Sequence, residues 1–155
     1  MMSHPMRGLL MTVALVVLIA TPAFATASRG VSGTPQLRGT LTESVHFNTG
    51  DIKFQTKGPV DFVTQTITFG AGSTSGWHAH PGVVMVSVIS GELTHYASDC
   101  SYETVGRGGA FVESGDHAGL VNSVNGAVVQ VTYVVPAGTT VLRIDKLNPG
   151  CPGID

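Results

Sequence analysis

The chain has 155 residues, 43% of them hydrophobic and only 12% charged, with 20 glycines and a formal net charge of −2. That length and composition suit one domain with a sizeable core. Its 8 basic residues do not cluster, which argues against nucleic acid and against anionic membrane surfaces as partners.

Arg7 gives a positive start, Leu9 to Ala20 an apolar stretch of signal-peptide length, and Ala23-Phe24-Ala25 a small-x-small cleavage site. The apolar stretch falls short of the roughly 20 residues that cross a bilayer. No cysteine stands near the cut to carry a lipid. Residues 1–25 are therefore expected to be a cleaved signal peptide, leaving a secreted, extracytoplasmic protein with no stable membrane anchor. Cleavage removes Arg7 and no acid, so the net charge of −2 becomes −3.

Residues 26–37, rich in Ser, Gly, Thr and Pro, read as a flexible lead. Strands then follow at short intervals. Thr40 to Phe47 alternates through Leu41, Val45 and Phe47, and Val60 to Phe69 through Phe62, Ile67 and Phe69. Val83 to Ile89 and Glu92 to Ala97 are expected to form a hairpin about Ser90-Gly91. Gly109 to Glu113 is short, and Ala118 to Ser123 meets Ala127 to Val135 across Asn125-Gly126, a strong hairpin signal. Pro136-Ala137-Gly138 stops that strand, and Val141 to Asp145 adds a last one. Many short strands without a long helix indicate an all-β sandwich or barrel. The body is placed at residues 38–147 and an irregular tail at 148–155.

Cys100 lies in a loop and Cys151 in the tail. An even count in an exported chain points to one disulfide, Cys100–Cys151, tying the tail down. No C-x-x-C arrangement suggests redox catalysis.

The richest stretch runs from Gly72 through Gly76-Trp77-His78-Ala79-His80 to Val84. On an extended segment His78 and His80 point to one face, and Trp77 and Ala79 to the other. Two imidazoles so placed can grip one divalent cation. Trp77 and Met85 read as wall or core residues. His46 and His95 stand on strand faces without a motif and read as ordinary surface or core histidines.

The spacing G-x5-H-x-H-x3-E-x6-G resembles the first motif of the cupins, matched by Gly72, His78, His80 and Gly91. The family's glutamate falls at Val84, or at Met85 in a longer variant, and neither can bind a metal. The second cupin motif, roughly G-x5-P-x-G-x2-H-x3-N, is similar to the segment from Gly106 to Asn122. Gly115 and Asn122 keep its spacing, Arg107 sits at its first glycine and Glu113 at its proline. Its histidine position is Ala118, which leaves His117 one residue early, and such a slip flips a strand side chain unless a bulge absorbs it.

The resemblance covers roughly residues 38 to 145. It implies a single-domain cupin jelly-roll β-barrel with metal ligands His78, His80 and, where a bulge re-aims it, His117. The ion would be a divalent metal such as zinc, manganese, iron or nickel, with a small-molecule ligand in the barrel. It further implies a homodimer paired through edge strands and a structural role for Asn122. Glu113 and Asp116 could supply the missing carboxylate, although acids in loops are ordinarily solvated. Without it, the gap at Val84 is lined by hydrocarbon and the site is expected to be weak. Occupancy should fall as pH drops through roughly 6.5, where free imidazole takes a proton.

No nucleophile elbow, phosphate loop or diagnostic acid pair is present, and fold alone does not assign function. The sequence supports an exported, metal-binding cupin of unassigned activity. The alternatives are a metal-free ligand-binding or structural barrel, and a metal-dependent oxygenase or isomerase of a small metabolite.

Overall fold

The computed structural model describes residues 25–114 and 118–154. These form eleven strands and no helix: β1 (Arg29–Gly33), β2 (Leu37–Leu41), β3 (His46–Thr49), β4 (Ile52–Gln55), β5 (Val60–Thr74), β6 (His78–Ala79), β7 (Val83–Tyr96), β8 (Tyr102–Gly106), β9 (Ala110–Ser114), β10 (Leu120–Pro136) and β11 (Ile144–Asp145). Residues 1–24 of the expected signal peptide lie outside the described residues, as do Asp116 and His117.

Three long strands set the architecture. β10 runs antiparallel to β5 on one side and to β7 on the other. β5 pairs with β2 along Val60–Thr64 and with β1 further on, while β7 pairs with β9 along Val83–Ser87 and with β8 along Glu92–Tyr96. Dividing each outer strand between two partners curves the seven-stranded sheet into a barrel. The fold is all-β, as the sequence implies.

Strand alternation fills the barrel. On β7, Val84, Val86 and Val88 are buried while Val83, Met85 and Ser87 are exposed. On β10, Ala127, Val129, Val131, Tyr133 and Val135 turn inward. Full burial of a valine side chain is worth roughly 1.5–3 kcal/mol, so this inner face is the main source of stability. Met85, expected as wall or core, instead points outward with 40% of its surface exposed.

Both expected hairpins are in fact continuous strands. β7 runs straight through Ser90-Gly91 and β10 through Asn125-Gly126. Gly91 and Gly126 do take positive φ, 76° and 92°, but they lie side by side, with Gly91 in register with Ala127. The ladder shifts there, so the two strands bend together at a barrel corner instead of reversing. A Cβ on Gly91 would run into the carbonyl oxygen of Gly126.

The N-terminal region differs too. Within the expected flexible lead, residues 29–33 form β1, anchored by Val31 against the core. The expected strand from Thr40 to Phe47 breaks after Leu41, where Thr42-Glu43-Ser44 interrupts the alternation. Its second half becomes β3, which pairs only with β4 and leaves Phe47 exposed.

A disulfide joins Cys100, between β7 and β8, to Cys151 of the tail. Cys151, Trp77 and Leu120 form a second small core behind β6.

Candidate metal centre

The segment carrying the two histidines is held from both sides. The His78 amide donates to Gly119 O at 2.9 Å and the Gly119 amide returns to His78 O at 2.8 Å. On the other edge β6 pairs with β11, Asp145 opposite His78. Alternation then does what the sequence implies: His78 and His80, each 7% exposed, line one cavity of about 450 Å³. Trp77 faces away, wholly buried in the second core, and its Nε1 donates to Ile154 O at 3.1 Å.

Each imidazole is fixed by a backbone carbonyl. His78 Nδ1 lies 2.8 Å from Gly76 O, and His80 Nδ1 lies 2.5 Å from Leu142 O. A carbonyl oxygen only accepts, so both Nδ1 atoms carry a proton and Nε2 is the nitrogen each ring leaves for another partner. Metal-binding histidines are commonly oriented in this way.

The third member is Glu113 on β9. It sits directly across the β7–β9 ladder from Val84, where the cupin pattern places its glutamate. Residues directly opposite in an antiparallel pair share a face. A carboxylate therefore stands on the partner strand at the height of the barrel where the cupin pattern has its glutamate. One ligand atom each from His78, His80 and Glu113 fall within 4.8 Å of one another. The expected hydrocarbon-lined gap is filled, and Glu113 is not a solvated loop acid.

His80 Nε2 and Glu113 Oε2 stand 3.1 Å apart. In neutral His80 two lone pairs would face each other there, an arrangement that needs a proton or a cation between them. Glu113 Oε1 is buried without a hydrogen-bond partner among the described residues. His95 approaches it from outside, its Nε2 at 3.6 Å, with its ring stacked on Phe111 at 4.6 Å and its Nδ1 3.4 Å from Glu103 Oε1. His95 thus borders the site, contrary to its reading as an ordinary strand histidine. His46 lies on the exposed face of β3, as an ordinary surface histidine would.

Burial, helped by the nearby charges of Arg143 and His80, pushes His78 down to about 4 against the opposing pull of Glu113 and the Gly76 hydrogen bond. For Glu113, burial works against ionisation. The hydrogen bond from His80 and the charges of His78, His80 and His95 outweigh it and hold the carboxyl below its usual range. The expected fall in metal occupancy near pH 6.5 accordingly moves down toward 4 for His78. This depression links pH to stability. The unfolded chain takes up a proton near 6.5, the folded chain only near 4, so stability is full above 6.5 and is lost as pH falls toward 4. The loss for metal-free protein should be roughly 3 kcal/mol in all. Urea unfolding at about pH 7.5 and about pH 4.5 measures it, and His78→Gln should remove most of the difference. Equal midpoints for the native chain would contradict a histidine held neutral.

Of the expected ligands, the structure brings His78 and His80 together, while His117 lies outside the described residues. Ala118, at the motif's histidine position, is half-buried and packs on the second core. Asn122 lies within β10, opposite Thr74 and Thr94, with Oδ1 buried and without a hydrogen-bond partner among the described residues.

No protein-family model matches the chain, and no curated protein matches it. Solved structures are similar to it. One is a conserved protein of unknown function from Streptococcus pyogenes, at 18% identity and TM-score 0.47, covering 67% of this chain and 77% of that one. A double-stranded β-helix protein from Klebsiella pneumoniae matches at 15% identity and TM-score 0.47, over 67% of this chain and 86% of that one. A cupin 2 conserved barrel protein from Leptotrichia buccalis matches at 17% identity and TM-score 0.45. That match spans 64% of this chain but only 41% of the Leptotrichia protein. The chain is an all-β barrel of the architecture that the cupin resemblance implies, with His78 and His80 at the motif positions and Glu113 beside them on the neighbouring strand.

Proposed function

We propose that this protein is an exported cupin-type barrel that binds one divalent metal ion through His78 Nε2, His80 Nε2 and the Glu113 carboxylate, beside a cavity for a small ligand. One observation carries the reading. Two imidazoles with their Nδ1 protons committed to carbonyls converge on a largely buried carboxylate, His80 Nε2 lying 3.1 Å from Glu113 Oε2. Two histidines and one carboxylate suit iron, manganese, nickel or zinc and leave coordination positions open toward the cavity. A metal held there would act as a Lewis acid or present an exchangeable site to a ligand. Val84, Val86 and Tyr133 line the cavity beside it. Export fits the disulfide, which persists in oxidising compartments.

Calorimetric titration of chelator-treated protein with zinc at neutral pH tests the reading. One equivalent should bind, and protein that takes up no divalent ion would sink the proposal.

A further inference from the structure

The cavity beside the candidate metal centre has one charged group that the metal does not use. Arg143 lines it. Its Nε donates to Asp145 Oδ1 at 2.7 Å at the surface end of a side chain that is 32% exposed, while its Nη2 is buried with no hydrogen-bond partner among the described residues. A buried N–H donor without an acceptor is costly, and a planar carboxylate is the acceptor a guanidinium's geometry suits best. The placement is tied to the site by the chain itself: the carbonyl of Leu142 holds His80 Nδ1, and the next residue is Arg143. His78 and Tyr133 line the same cavity as Arg143.

Much of the rest of the cavity wall is apolar, with Ser32, Gln36, Ser75 and Thr140 among its polar members. Ile67, Phe69, Val86, Val129 and Val131 line it, and the polar exceptions near Tyr133 are partly spent, since Gln65 Nε2 donates to Tyr133 Oη at 3.0 Å. A volume of about 450 Å³ is in the range for small-molecule sites. Charge sets the sign of the ligand. With a divalent ion in place, the ion and Arg143 outweigh Glu113 and Asp145 by one positive charge, which one carboxylate neutralises.

We infer that the cavity takes a small monocarboxylate with an apolar body, its carboxylate held by the guanidinium of Arg143 and its hydrocarbon laid against the valine wall. This deepens the metal reading and rests on it. Arg143 would then set ligand class, and the barrel width would set ligand size.

The test uses the full mature chain loaded with cobalt(II), whose visible absorption reports changes at the metal. Cobalt uptake is measured first, by calorimetry, so that the two readings fail separately. Butyrate and its neutral counterpart butyramide are then titrated. Butyrate should bind at least about ten-fold more tightly, as a charge-assisted bidentate pair would give. Arg143→Met should bring the two within about two-fold while leaving cobalt uptake and melting temperature near the native values, and Arg143→Lys should keep part of the preference. Equal binding of the two probes by the native protein would overturn the inference. So would an undiminished butyrate preference in Arg143→Met, which would mean that carboxylate meets the metal alone. Protein that takes up no cobalt would bring down the metal reading and this inference with it.

Discussion

Glu113→Gln should lower divalent metal affinity by at least about 100-fold, at or beyond the upper end of the loss typical when only an outer partner of a metal site is removed. Glutamine keeps the size and shape of the side chain but removes the charge and one strong acceptor. The two imidazoles stay in place, because Gly76 O and Leu142 O, not Glu113, orient their rings. The substitution also removes the 3.1 Å contact with His80, so metal-free stability is measured alongside and the metal effect is read from the titration. The swap Val84→Glu with Glu113→Val is the sharper form of the experiment. The two positions face each other across the β7–β9 ladder, so the exchange moves the carboxylate to the strand where the cupin pattern has it. It should restore affinity to within about ten-fold of native, since cross-strand neighbours occupy nearly the same place. A double variant as weak as Glu113→Gln, yet folded, would show that the position of the carboxylate on β9 matters in itself.

Cys151→Ser should cost about 4 kcal/mol by the loop-entropy relation, for cysteines 51 residues apart. In a domain of this size that corresponds to a melting temperature lower by roughly 10–15 °C. Part of the loss is packing: Cys151 is 1% exposed and shares the second core with Trp77 and Leu120. Trp77 Nε1 also donates to Ile154 O in the same tail, so releasing the tail frees the back of the segment that carries His78. Metal affinity at room temperature should still stay within a few-fold of native, because neither histidine's hydrogen bond comes from the tail. Differential scanning calorimetry with and without reductant measures both parts, and a melting temperature unmoved by reduction would contradict the account.

How much of this was legible in the sequence follows from how local each feature is. The shared face of His78 and His80 depends only on the two-residue period of a strand, and it was readable. The disulfide followed from a count of two. The corner at Gly91 and Gly126 was not readable, because Ser-Gly and Asn-Gly mark positive φ without saying whether the chain reverses or bends. Only the contact between the two strands decides that, and it lies 35 residues apart in the chain. Glu113 failed for the same reason, since its place opposite Val84 is a matter of register. One local sign did exist: Phe111 and Glu113 share a face of a short alternating strand, and an acid beside a core phenylalanine is rarely a solvated one. His95 carried no comparable signal, for its stack on Phe111 is again a contact across strands.

The most direct test is anomalous diffraction at the zinc edge from crystals of zinc-loaded protein. The account predicts one strong peak about 2.0–2.2 Å from His78 Nε2, His80 Nε2 and a Glu113 oxygen. A peak held by the two histidines with His117, and Glu113 turned away, would contradict the carboxylate from β9, and no peak between His78 and His80 would contradict the metal centre altogether.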